Sequence, residues 1–244
     1  MSTFKFKQFT IEQDRCAQKV GTDGVLLGAW VNANEANSIL DIGAGTGLIS
    51  LMMAQRNHHA QIDAVELDTE AFEQCTSNFE NSIWADRLYC YHASFQEFYE
   101  EVDDRYDLII SNPPFFQAAT VDTGMDQARQ QARFDNALPF EELIYGVYKL
   151  LASNGRFACI IPADREEEFV KIANHFQLYT KRKMYVRGAE SSEVKRCLLE
   201  VSFRACLPAR QESEITINHL TIEKGRHDYT EDYIQLTRDF YLNM

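Results

Sequence analysis

Three groups of residues in this sequence have the types and spacing to do chemistry. The first is Asn112-Pro113-Pro114-Phe115-Phe116, which ends the apolar run Asp107-Leu108-Ile109-Ile110-Ser111. A buried strand stops there at a stiff, projecting corner, because two successive prolines remove two N–H donors and hold φ near about −65°. What the corner keeps is acceptors. The side-chain oxygen of Asn112 and the carbonyl of Pro113 can face one incoming donor, and Phe115 offers a flat apolar face beside them. A planar amino group conjugated to a ring suits all three features. An exocyclic base amine needs both acceptance and stacking, whereas a glutamine amide would use the same acceptors with less need of the ring. The plainer reading is a strand, a turn and aromatics that fill a core.

The second group is Gly43-Ala44-Gly45-Thr46-Gly47, preceded by Asp41 at the end of the apolar run from Ser38. Glycines permit positive φ and close backbone approach, so a strand that enters this turn and leaves as a helix through Arg56 places a ligand at the helix N-terminus. The turn is not a phosphate-gripping Walker loop, since no Lys-Ser or Lys-Thr follows. It also departs from the dinucleotide fingerprint, with Leu48 where a third glycine belongs. The third group is Glu66, nineteen residues beyond Gly47 and followed by Leu67 and Asp68. The second strand of a doubly wound unit delivers a carboxylate to ribose hydroxyls at this spacing. Asp68 either points away or opens the helix Thr69 to Asn81.

The elements that position these groups follow from periodicity. Phe4 to Ile11 alternates as one half-buried strand or arm. Thr22 or Asp23 can cap a short apolar helix ending near Trp30; it either covers the open end of a sheet or brings Thr22 and Asp23 to the far side of a ligand. Strands at Ser38, at Gln61 to Val65, at Leu88 to His92 and at Asp107 alternate with helices, which predicts a parallel, doubly wound α/β sheet with all the candidate loops at strand C-termini. Ala93-Ser94-Phe95 is one of those loops and could flank an adenine ring. Gln117 to Asn136 has no convincing period and reads as a lid or binding loop, in which Arg129 and Arg133 are either solvated charges or phosphate contacts. A helix from Pro139 to Leu151, a strand from Gly155 and a helix from Asp164 to His175 continue the alternation. Leu178 to Arg187 and Val194 to Ala205 then follow each other as an antiparallel hairpin at the sheet edge. Ile215 to Ile222 and Tyr229 to Leu242 read as a strand and a terminal amphipathic helix with Tyr233, Leu236, Phe240 and Tyr241 toward the core.

Composition narrows the classes of function. At 244 residues with 45% hydrophobic and 25% charged residues, one sizeable core and one domain are expected: an N-terminal arm and cap helix over residues 1–37, a core over 38–210, and a C-terminal strand and helix over 211–244. No apolar run reaches the roughly 18 residues that span a membrane, and the first ten residues do not resemble a secretory signal, so a soluble cytoplasmic protein is expected. The six cysteines contain no C-x-x-C pair, and His58-His59 lies in a polar turn, which points to neither a disulfide framework nor a metal site. A net charge of −13 argues against indiscriminate phosphate binding. A basic cluster nevertheless falls on the hairpin: Lys181, Arg182, Lys183, Arg187, Lys195, Arg196, Arg204 and Arg210. It serves either nucleic-acid contact or protection of an edge strand.

With these residues in view the chain resembles a known family. Leu40-Asp41-Ile42-Gly43-Ala44-Gly45-Thr46-Gly47 is similar to motif I of the S-adenosylmethionine-dependent methyltransferases, Glu66 to their ribose-binding acid, and Asn112-Pro113-Pro114-Phe115 to motif IV of the amino-methylating branch. Lys19 to Trp30, Ala132-Arg133-Phe134 and Tyr229 to Leu242 resemble more narrowly the tRNA N6-adenine methyltransferases that act 3′ to the anticodon of valine tRNA. The resemblance implies a seven-stranded, mostly parallel Rossmann-like sheet and S-adenosyl-L-methionine as cofactor. It implies cofactor contacts from Thr22, Asp23, Asp41, Gly43, Ala44, Gly45, Gly47, Glu66, Leu67, Ser94, Phe95 and Asn112. Asn112, Pro113, Pro114 and Phe115 are the implied catalytic residues. With the basic cluster added, Phe116, Arg129, Arg133, Lys181, Arg182, Lys183 and Arg187 are the expected RNA contacts, and a monomer is expected. The chain departs from the family in one place: many relatives carry an acid after the third strand for the adenine amine, and this chain has Ala93-Ser94-Phe95. A guanine N2 amine, a DNA adenine or a protein glutamine stays open as substrate for the same corner. From other classes, an NAD-dependent oxidoreductase and an RNA-binding module without turnover also stay open.

Overall fold

The computed structural model describes residues 3–16, 19–113, 138–204 and 215–244. Pro114, Phe115, Phe116, Arg129, Arg133, Cys206 and Arg210 lie outside the described residues. In chain order the elements are β1 (Thr3–Lys5), β2 (Thr10–Glu12), α1 (Thr22–Trp30), β3 (Ser38–Ile42), α2 (Leu48–Arg56), β4 (Gln61–Glu66), α3 (Thr69–Glu80) and β5 (Leu88–His92). They continue with α4 (Phe95–Glu101), β6 (Tyr106–Ser111), α5 (Phe140–Leu150), β7 (Leu151–Pro162), α6 (Glu166–His175), β8 (Leu178–Ala189), β9 (Val194–Phe203), β10 (Thr216–Gly225), β11 (Asp228–Tyr229) and α7 (Glu231–Thr237).

One sheet organises the molecule, in the order β11-β10-β8-β9-β7-β6-β3-β4-β5. β3, β4, β5, β6 and β7 run parallel, and β9 enters antiparallel between β7 and β8. The expected α/β class stands, but the sheet has nine strands rather than seven, and the β8–β9 hairpin does not form its edge. The open side of β8 takes up β10 in parallel register, Thr216 opposite Arg182 through Thr221 opposite Arg187, and β11 closes back on β10. Backbone groups left unpaired along β8 would otherwise face solvent.

Alternation along the central strands divides the core in two. Ile39, Leu108, Ile110, Ala158, Ile160 and Leu198 face one layer with α1, α2 and α7. Leu40, Ile42, Ile109, Phe157, Cys159, Ile161 and Leu199 face the other, with α4, α5 and α6. Such near-continuous apolar strands are buried on both faces, as a parallel sheet requires.

Three local expectations are corrected. The N-terminal stretch is a hairpin of two short strands, because Phe6 and Phe9 both turn inward and stack at 4.7 Å, which folds the chain back between them. Ala93-Ser94-Phe95 is not an open loop; it starts α4, with Ser94 as N-cap in a complete capping box with Glu97. The terminal helix begins at Glu231, capped by the Thr230 side chain on the amide of Tyr233, and Tyr229 belongs to β11. Tyr233 and Phe240 are buried in the core all the same.

Candidate active site at the strand tips

The site is assembled where β3, β4 and β6 end. Ile42, the last residue of β3, is the register partner of Ser111, the last of β6, and the Ser111 hydroxyl donates to the Ile42 carbonyl at 3.0 Å. That bond ties the glycine turn to the Asn112 corner. All three glycines of the turn have positive φ: 70° at Gly43, 57° at Gly45 and 78° at Gly47. They differ in surroundings. A Cβ on Gly43 or Gly45 would meet no atom within 4 Å, so those two line open space, whereas one on Gly47 would sit 2.6 Å from Phe79 Cε1 and 2.9 Å from Cys75 Sγ. The first two keep the cradle clear and the third lets α2 pack on α3.

Asp41 lies beneath the turn, 1% exposed. Its Oδ2 accepts from the Ser50 amide at 3.1 Å and the Ser50 hydroxyl at 2.7 Å, which anchors the first turn of α2, and its Oδ1 has no partner. Burial pushes the Asp41 carboxyl up to about 6, against the opposing pull of those two Ser50 bonds. Ser50 escaped the sequence reading. The signal was one hydroxyl inside an otherwise apolar helical run, nine residues after the acid.

Glu66, at the tip of β4, accepts from the Gly45 amide at 2.7 Å through Oε2 and from the Asp68 amide at 2.9 Å through Oε1. Each oxygen retains a lone pair, so the carboxylate is fixed beside the turn and still able to accept hydroxyls. Leu67, next in the chain, is 47% exposed, an apolar surface adjoining that acid. Asp68 caps α3 through the Ala71 amide at 2.9 Å, which explains its acid without a ligand. At the tip of β5 the Ser94 hydroxyl and amide both bond Glu97 Oε2, and the ring of Phe95 is buried against α5 at Gly146. The structure therefore brings Ser94 and Phe95 to the right strand end but commits both side chains locally.

Helix α1 closes the other side. Its N-cap is Gly21 and no side chain caps it, so neither Thr22 nor Asp23 has that role. Asp23 instead receives the Nε of Arg196, from the start of β9, at 2.7 Å. The next residue is in touch with the corner: a Cβ on Gly24 would lie 3.1 Å from Leu48 and 4.0 Å from Asn112 Nδ2. The nitrogen end of the Asn112 amide thus faces α1. Pro113 is buried.

The basic cluster reads differently in three dimensions. Arg182 is held by Glu200 at 2.8 Å and lies 4.0 Å over the Trp30 ring; Lys183 bonds Glu166 at 2.7 Å; Arg187 bonds Glu190 and Thr221. Lys181 is exposed on the flank of β8. Arg182, Lys183 and Arg187 are therefore each engaged by neighbouring groups of the fold, on β9, α1, α6, the β8–β9 turn and β10. Among the described residues no group of three or more His, Cys, Asp or Glu is placed to hold a metal ion.

A Gly-rich turn over open space, a ribose-type acid on the neighbouring strand and an acceptor corner on the third define, on this sheet, a Rossmann-like methyltransferase. A solved predicted O-methyltransferase from Agrobacterium tumefaciens superposes with a TM-score of 0.67 over 89% of this chain and 96% of that one, at 19% identity. A precorrin-6Y C5,15-methyltransferase from Geobacter metallireducens gives 0.53 over 77% and 93%, at 16% identity. A family model, the methyltransferase small domain, matches residues 16–183. The sequence is 54% identical to the tRNA1(Val) (adenine(37)-N6)-methyltransferase of Flavobacterium psychrophilum, over 99% of this chain and 100% of that protein. It is 44% identical to the protein of the same name from Trichodesmium erythraeum, over 98% and 97%. The chain belongs to the family of tRNA1(Val) (adenine(37)-N6)-methyltransferases.

Proposed function

We propose that this chain methylates the N6 amine of adenine 37 in tRNA1(Val), with S-adenosyl-L-methionine as donor, as a cytoplasmic monomer. The observation that carries the reading is the hydrogen-bonded junction of β3 and β6, which sets the Asn112 corner against the glycine cradle. The residues fit the cofactor: Gly43 and Gly45 leave room that a Cβ would fill, and Glu66 keeps free lone pairs beside them. Gly43, Ala44, Gly45 and Gly47 would form the cradle, Asp41 would brace it, Glu66 would take the ribose hydroxyls and Leu67 the base. Thr22, Asp23, Ser94, Phe95 and Asn112 complete the proposed surround. Bound S-adenosyl-L-methionine supplies an electrophilic methyl group on a sulfonium.

Asn112 Oδ1 and the Pro113 carbonyl accept the two N6 hydrogens, which draws the nitrogen lone pair out of conjugation with the ring. Pro114 is the proposed stiffener of the corner, and stacking of the base on Phe115 or Phe116 would contribute ~1–3 kcal/mol toward the cost of unstacking it from its loop. The corner thus works by positioning and acceptance, and needs no strong general base. Arg129 and Arg133 are proposed RNA contacts. No described helix is long and apolar enough to cross a membrane.

The test is incubation with methyl-labelled donor and, separately, tRNA, rRNA, DNA and a release factor, followed by nucleoside and peptide mass spectrometry. N6-methyladenosine in tRNA1(Val), lost when adenine 37 is replaced by guanine, is expected. Label in another substrate with none in tRNA would overturn the reading.

A further inference from the structure

We propose that Arg196, held by Asp23 and flanked by Lys195, binds the phosphodiester of the nucleotide whose base enters at Asn112. The proposal deepens the tRNA reading and rests on it. It follows from how the sheet sorts the basic cluster. Arg182 and Lys183 are spent on Glu200 and Glu166. Arg196 is the register partner of Pro162, the last residue of β7, whereas Ser111 at the tip of β6 pairs with Cys159. Arg196 therefore stands on the end of the sheet where Asn112 begins, two strands across from β6 and three residues beyond its tip, or about 10 Å along the strand direction at ~3.3 Å per residue.

Its guanidinium is oriented as well as placed. Nε donates to Asp23 Oδ2 at 2.7 Å and Nη1 to the Lys195 carbonyl at 3.1 Å, while Nη2 donates to no group among the described residues. Asp23 directly precedes Gly24, where a Cβ would lie 4.0 Å from Asn112 Nδ2, so the ion pair stands next to the acceptor corner. The arginine side chain keeps 36% of its surface exposed and Lys195 is exposed beside it. A part-exposed arginine, fixed by a carboxylate with Nη2 free, suits a phosphate, which it meets with charge-assisted hydrogen bonds. In a chain of net charge −13, a local cation at the mouth is also what an RNA backbone would need.

The test compares wild type with Arg196→Ala, Arg196→Lys and Asp23→Asn in the full chain. It measures tRNA affinity across a salt series, KM and kcat for tRNA, and calorimetric affinity for S-adenosylhomocysteine. Arg196→Ala is expected to raise the tRNA Kd and KM about tenfold, lower the salt slope by about 1 and leave S-adenosylhomocysteine affinity within about twofold. Arg196→Lys should restore the slope with only part of the affinity. Asp23→Asn should weaken tRNA binding about threefold with the slope intact, because the cation remains and only its orientation is lost. An unchanged slope and KM in Arg196→Ala would overturn the proposal. So would parallel loss of S-adenosylhomocysteine and tRNA affinity, which would make the pair a structural tie between α1 and β9. Wild type that neither binds nor methylates tRNA would instead remove the reading beneath it.

Discussion

Asn112 and Asp41 are both polar groups at strand ends, and they are asked for opposite things. Asn112 must present an oxygen to a substrate amine, with its nitrogen end turned toward Gly24 on α1. Asn112→Ala should therefore abolish methyl transfer with a far smaller loss of S-adenosylhomocysteine affinity, measured by calorimetry, since the group acts mainly on the acceptor. Substantial residual turnover would count against the acceptor corner. Asp41 works in the dark, pushed up to about 6 mainly by burial. Its folded form takes up a proton more readily than its unfolded form does. The folded state is thus favoured most below the unfolded value of 3.8, loses ground as pH rises to about 6, and is level above that. Asp41→Asn removes the titration, so its stability advantage over wild type in urea unfolding should be larger near about pH 7.5 than near about pH 4, by on the order of 2 to 3 kcal/mol. An equal gap at both pH values would mean that the carboxylate is not desolvated as its surroundings indicate.

At the scale of elements, the glycine turn performs two tasks with one residue type. Gly43 needs its φ of 70° but has space around it; Gly47 needs φ of 78° and also has Phe79 and Cys75 where a methyl would go. Gly47→Ala should cost stability through strain and overpacking together, on the order of 3 kcal/mol, read as a drop in thermal midpoint. Gly43→Ala should cost about 1–2 kcal/mol of strain and weaken S-adenosylhomocysteine binding disproportionately, because the methyl projects into the cradle. If both variants lose stability equally and keep affinity, the division of labour is wrong. Helix α4 belongs at the same scale. Ser94-x-x-Glu97 is legible in the sequence as a capping box, because the pattern lies within a single helical turn.

For the whole molecule, the C-terminal elements are part of the core. Leu220, Tyr233 and Phe240 are buried in the layer that holds α1 and α2. The two ends of the chain interlock as well: Lys7 bonds the carbonyls of Arg238 and Met244, and Phe6 pairs with Tyr241. Ending the chain after residue 214 would uncover the outer side of α1 and the edge of β8, and the truncated protein should lose cooperative unfolding and aggregate. The full chain should unfold in one transition that is coincident by fluorescence and circular dichroism. Separate transitions for residues 1–210 and the tail would show two units.

The sequence by itself determined the strand ends and what they carry. Asn112-Pro113, the glycine turn and Glu66 are local patterns, legible because β-branched runs, glycine and proline impose backbone geometry over a few residues. It also determined the α/β alternation, through period. Only the tertiary structure decided which distant side chains pair. Asp23 went to Arg196, Arg182 to Glu200 and Asp41 to Ser50. All three pairings reach across elements, the Asp23–Arg196 pair across 173 positions. β10 likewise extended the sheet beyond seven strands because the edge of β8 was left with unpaired backbone, a demand set by the assembled sheet and absent from the residues of either strand.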